Sequence, residues 1–157
     1  MGKERGLGDF SIHLNSQQPV YYPGQTISGF VRLDVDKPTE IRSLNITFIG
    51  KTSVRWEESR GVGKNQRKKF DVTGKNIIVK DTATLFDAED DVGSSTHDLA
   101  EGSHEYQFSF DIPNKRVPST FEGECGYIRY VLKSKVRSSF LLFLLGLGLG
   151  LAHPGNI

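Results

Sequence analysis

An all-β fold, an immunoglobulin-like antiparallel β-sandwich, is predicted by three features of the sequence. From Asp9 to about Val136, apolar and polar side chains alternate with a period of two. No stretch in that span carries the 3.6-residue apolar pattern of an amphipathic helix. Turn-forming clusters recur roughly every 10–25 residues, the spacing expected of a sandwich with about seven strands.

The first run is Phe10, Ile12 and Leu14. Pro23 and Gly24 then suit a type II turn, because proline presets φ at the second position and glycine accepts the positive φ that follows. That turn is expected to join the first strand directly to the second, which carries Ile27, Gly29, Val31, Leu33 and Val35, and Lys37-Pro38 leads into Leu44, Ile46 and Phe48. Turn signals follow at Gly61 to Gly63 and at Asp71 to Gly74, and one short strand is expected over Asn76 to Phe86. Asp87 to Asp98, with a turn at Gly93 to Ser95, reads as an exposed acidic loop of low β-propensity. Tyr106, Phe108, Phe110 and Ile112 alternate next, Pro113 to Pro118 interrupt the chain, and a further strand carries Ile128 and Tyr130. Ser28, Arg32, Asp34, Asn45, Thr47, Glu105, Gln107, Ser109 and Asp111 fall on the opposite faces, so each sheet has one wet side and the two dry sides must stack.

The pattern changes after Arg137. Phe140 to Leu151 is leucine, phenylalanine and glycine throughout, too short for a transmembrane helix of roughly 20 residues and weakened as a helix by its glycines. It does not resemble a strand with a solvated face, though Phe140 to Leu145 could form a final buried strand that fills the missing edge of the sheet. The expected organisation is a flexible lead over 1–8, a sandwich over 9–137 and an apolar tail over 138–157.

Composition narrows the function. Twenty Lys and Arg against 19 Asp and Glu leave a net charge of +1 on 157 residues, which argues against a general nucleic-acid binder. The single cysteine, Cys125, cannot close an intramolecular disulfide, and the first ten residues lack the apolar run of a signal peptide, so a reducing, cytoplasmic setting is expected. His13, His97, His104 and His153 are scattered without metal-ligand spacing, and Cys125 has no adjacent cation to lower its pKa. Gly61 to Lys64 is neither a P-loop nor a dinucleotide fingerprint. Asp87, Glu89, Asp90, Asp91 and Asp98 do not follow an EF-hand spacing. Asn45-Ile46-Thr47 is a glycosylation sequon that matters only in a secreted chain. No enzyme, metal or cofactor is expected.

Lys64, Arg67, Lys68 and Lys69 are the best functional candidate. They are four cations in six residues, next to Arg60, and near Lys51 and Arg55 if the flanking strands form a hairpin. Such a cluster can meet phosphorylated cargo tails or anionic lipid headgroups, or can simply guard a sheet edge.

Two blocks, Val20 to Val31 (VYYPGQTISGFV) and Pro118 to Val131 (PSTFEGECGYIRYV), resemble the N-terminal arrestin domain of the arrestin-domain-containing proteins, the alpha-arrestins. Ile41 to Gly50, Val54 to Glu57 and Gly102 to Pro113 look like further blocks of that family in the same order. The resemblance implies the first of two curved β-sandwich lobes, with the last strands missing or replaced by the tail. It also implies a scaffold at the plasma membrane or endosomes that binds membrane-protein cargo tails or other trafficking proteins and links them to ubiquitination. The chain has no Pro-Pro, so direct binding of WW-domain ligases through a P-P-x-Y motif is not expected. Tyr22, Pro23, Gly24, Gly29, Trp56, Phe121, Gly123, Gly126 and Tyr130 form the structural family motif. Among them Gly29 is expected to permit a bend or bulge, Trp56 to plug the core, and Gly123 and Gly126 to flank a turn. The alternative function is a membrane-associated or aggregation-prone form whose tail inserts at the bilayer interface.

Overall fold

Alternating side chains become strands along nearly the whole chain. The computed structural model describes residues 6–17, 20–88, 97–114, 117–138 and 142–152. The lead over 1–5, the acidic segment from Glu89 to Thr96 with its expected turn, Phe140, Leu141 and His153 lie outside the described residues. In chain order the strands are β1 (Leu7–Leu14), β2 (Val20–Tyr21), β3 (Thr26–Val35), β4 (Thr39–Gly61), β5 (Arg67–Asp87), β6 (His97–Leu99), β7 (Gly102–Asp111), β8 (Phe121–Glu122), β9 (Gly126–Ser138) and β10 (Leu142–Leu151). One sheet has the order β1-β3-β7; the other runs β2-β10-β9-β4-β5, with β6 paired to β4 and β8 to β9. Every pairing is antiparallel except the short parallel one between β10 and β2.

The dry faces meet as expected. Ile27, Val31, Leu33 and Val35 of β3 and Phe108 and Phe110 of β7 pack against Ile41, Leu44, Ile46 and Phe48 of β4 and Tyr130, Leu132 and Val136 of β9 in one core. The rings of Phe48 and Phe110 join the two layers with centroids 6.2 Å apart. Ser134 is the polar residue buried among them, and its hydroxyl donates to the Asn45 carbonyl at 3.1 Å, so burial leaves that group satisfied.

The turn at Pro23 and Gly24 forms as read: the Gln25 N–H donates to the Tyr22 carbonyl at 3.1 Å, and Gly24 has φ +86°. It follows the two-residue β2, which belongs to the other sheet, so it does not join the first strand directly to the second. Gly29 has a different role from the one expected. The β1–β3 register shifts only between Leu7 and Phe10, so there is no bulge at Gly29. A Cβ there would stand 2.0 Å from the His13 carbonyl oxygen, and glycine is needed because two backbones approach closely. Because backbone must yield, Gly29→Ala is expected to cost about 2–3 kcal/mol. A thermal melt checks this, and an unchanged midpoint would remove the explanation.

Three further expectations are corrected. Asp71 to Gly74 is not a turn but the middle of β5, paired residue for residue with Glu57 to Val54. The short strand over Asn76 to Phe86 is therefore one half of a 21-residue strand. The 23-residue partner β4 supplies a ladder, unbroken from Lys51 to Gly61, that overrides the local turn preference of Asp71 and Gly74. Trp56 is not a core plug; it is 43% exposed. Finally, the Leu/Gly segment after Arg137 does have a strand's two faces. From Phe143 to Leu151 the odd-numbered residues are half-buried or buried, whereas Leu142, Leu144, Gly146 and Gly148 are exposed. β10 pairs with β9 from Leu142↔Arg137 to Leu149↔Tyr130, and its inner leucines fill the end of the core.

Candidate functional site

β4 and β5 form a two-stranded ribbon that runs on past the sandwich. The pairing continues to Gly61↔Arg67, and the Val62 N–H donates to the Gln66 carbonyl at 2.8 Å across the tip. Gly63 (φ +81°) and Asn65 (φ +63°) take the left-handed conformations that this reversal needs. Lys64, Arg67, Lys68 and Lys69 are all exposed here, so the structure does bring the four together at one end of the molecule.

The register divides them between faces, because opposite residues share a face and neighbours alternate. Arg60 pairs with Lys68, Glu58 with Phe70, Trp56 with Val72 and Val54 with Gly74 on one side. This side continues the parity of Leu44, Ile46 and Phe48, the inner face of the sandwich. Arg67 and Lys69 lie on the other side with Arg55 and Lys51, and Lys64 is at the tip. On the inner side the guanidinium of Arg60 is 5.6 Å and the ammonium of Lys68 is 5.8 Å from the centroid of the Phe70 ring. Phe70 and Val72 were not singled out from the sequence; the signal was their alternation, which the turn reading of Asp71 to Gly74 obscured. The ribbon's three acidic residues are ion-paired: Glu57 with Lys69 at 3.6 Å, Glu58 with Arg60 at 2.8 Å and Asp71 with Arg55 at 3.1 Å.

At the ribbon's base, on the outer face, Lys51, Lys75, Asn76, Ile77 and Tyr127 line a shallow cavity of about 530 Å³. Arg129 lies 3.7 Å from the Tyr127 ring centroid and makes a forked pair with Glu122 at 2.5 and 2.9 Å. Those hydrogen bonds hold the Glu122 carboxyl below the usual range and raise Arg129. Gly123 and Gly126 close the turn between β8 and β9, where the Gly123 N–H donates to the Gly126 carbonyl at 2.8 Å. Phe121 of the same block is exposed, whereas Tyr130 is buried. Tyr22, before the Pro23 turn, is also exposed.

His13 stacks on Phe30 and contacts the Ser11 hydroxyl, and His104 donates to the Ala100 carbonyl. Cys125 is a free, exposed thiol. Among the described residues no three His, Cys, Asp or Glu side chains come together to hold a metal.

A two-sheet sandwich with this strand pattern, and with the five sequence blocks in order along it, invites comparison with known families. The family described as Arrestin (or S-antigen), N-terminal domain, matches residues 10–140. The chain belongs to that family. This arrestin domain is 27% identical over 128 residues to Arrestin domain-containing protein 17 of Caenorhabditis elegans, covering 82% of the chain and 30% of that protein. It is 25% identical over 138 residues to Arrestin domain-containing protein 4 of Mus musculus, covering 85% of the chain and 31% of that protein. The arrestin domain thus spans about a third of the length of these relatives. Among solved structures, the sporulation control protein Spo0M of Bacillus subtilis is similar at a TM-score of 0.52 and 15% identity, over 94% of the chain and 51% of that protein, a likeness of fold alone. The arrestin family is one of adaptors and scaffolds.

Proposed function

We propose that the domain is a non-catalytic adaptor module of the cytoplasm. It holds the tails of membrane-protein cargo at the plasma membrane or endosomes and thereby takes part in endocytic trafficking and ubiquitin-ligase-linked regulation. The observation that carries this reading is the edge strand β5. It ends its sheet among the described residues, is 21 residues long, and has Lys69, Lys75 and Lys80 exposed along it. An extended acidic or phosphorylated tail can add to such an edge by main-chain hydrogen bonds while the lysines select its charge. With no Pro-Pro in the chain, direct capture of a WW-domain ligase is not part of the proposal.

Insertion of the Leu/Gly tail into a bilayer has less to support it. Leu149 and Leu151 are buried, and β10 is paired on one side with β9 and at its end with β2, so insertion would first have to dismantle the sheet.

Titration of the full chain with an extended acidic peptide in lipid-free buffer tests the cargo reading. Binding should weaken with salt, and Lys75→Glu with Lys80→Glu should lower affinity about tenfold, the equivalent of two exposed ion pairs. Unchanged affinity in the folded double variant would exclude the β5 edge.

A further inference from the structure

We propose that the outer half of the β4–β5 ribbon is a membrane-seating arm that places its Trp56 face in the headgroup region of an anionic bilayer. This goes beyond cargo recognition at the β5 edge and stands or falls separately.

The first observation is a core face with nothing packed over it among the described residues. Along β4 the inner residues Leu44, Ile46 and Phe48 are buried by the opposite sheet. The same face continues through Val54 and Trp56 and across to Val72 and Phe70, outside the core cluster, with Val54 41% and Trp56 43% exposed. The ribbon therefore presents an apolar, aromatic strip to solvent.

The second observation is charge, and it selects the occupant. Residues 51–75 carry eight Lys and Arg against three Asp and Glu, a balance of +5; the rest of the chain has 12 against 16, a balance of −4. All three acidic residues of the ribbon are spent on ion pairs with Arg55, Arg60 and Lys69. A positive arm on a negative body turns towards an anionic surface and keeps the body away from it.

The third observation is how apolar and basic groups are interleaved. Arg60, paired with Glu58, and Lys68 hold their charged groups 5.6 and 5.8 Å from the centroid of the Phe70 ring, so positive charge stands at the level where that ring would sit. Tryptophan and phenylalanine bordered by cations are the composition that settles at a bilayer interface. An apolar partner protein would leave the surplus cations unused, and a phosphopeptide would leave Trp56 in water.

The test uses a property of the sequence: Trp56 is its one tryptophan, so intrinsic fluorescence reports on the proposed contact alone. The full chain is mixed with phosphatidylcholine vesicles containing about 30% phosphatidylserine, and with phosphatidylcholine vesicles alone. Expected are co-sedimentation with the anionic vesicles only, a blue shift of Trp56 emission and its protection from an aqueous quencher. Lys64→Glu with Lys68→Glu should reduce binding about tenfold or more, and Phe70→Ser should reduce it with an unchanged melting curve, since the residue lies outside the core. Vesicle binding that leaves Trp56 open to the quencher would overturn the proposal, as would an equal response to neutral vesicles. So would a blue shift produced by the acidic peptide and not by vesicles.

Discussion

Tyr130→Ala is expected to destabilise the domain by about 3–5 kcal/mol, the range for removing a large buried aromatic side chain. Tyr130 is 1% exposed, its ring lies 6.1 Å from that of Phe48, and its hydroxyl donates to the Pro118 carbonyl at 2.5 Å. Gly50 makes the space for it: a Cβ on Gly50 would be 2.5 Å from the Tyr130 ring. The truncation therefore empties a pocket built for one side chain. For a domain with a typical stability of roughly 5–15 kcal/mol this is a large fraction, and the melting midpoint should fall by roughly 10 °C or more. Tyr130→Phe keeps the ring and strands the Pro118 carbonyl, a cost nearer 1–2 kcal/mol.

The same residue gives an alkaline signature. Burial pushes the Tyr130 phenol from its ordinary value of 10.0 up to about 12, so the folded state holds the proton more tightly than the unfolded chain. Its contribution is present in full below pH 10 and is lost as pH climbs from there through about 12. Burial also raises Tyr21 and Tyr106, so Tyr130→Phe should flatten the alkaline decline in stability without abolishing it. Denaturant melts across that pH window check both points, and an unaltered slope in the variant would reject this role for Tyr130.

Leu149→Lys should cost at least about 3 kcal/mol, because Leu149 is 6% exposed and an unpaired ammonium would replace it in the core. Five residues earlier, on the opposite face of the same strand, Leu144 is 72% exposed, and Leu144→Lys should change stability by no more than about 0.5 kcal/mol. Chemical denaturation of the two variants reads the pleat of β10 directly. Equal effects would mean that the tail does not run as a strand through these positions.

Those leucines also show where sequence reading succeeds and where it stops. On β3 and β7, apolar and polar residues take turns, and the core faces Ile27 to Val35 and Phe108 to Ile112 were legible from the pattern alone. In β10 both faces are non-polar; only the size of the side chain alternates, leucine inward and glycine outward after Leu144, so a hydropathy pattern has nothing to register. Asp71 to Gly74 has turn-forming composition, and only the long complementary strand β4 makes it extended. For Trp56 the face was right and the burial was not, because burial depends on how far the opposite sheet reaches. The basic cluster was visible as charge. Its division between two faces, with Arg60 and Lys68 beside Phe70, required the β4–β5 register, which a single sequence does not supply.

The parallel pairing of Val20 with Gly150 and Tyr21 with Leu151 has a bearing on how the chain reaches this state. Synthesis delivers β2 long before its partner exists, so the pairing at Tyr21 must wait until some 130 further residues have followed it. Closing so large a loop is slow, and until it closes the edge of that strand stays unpaired.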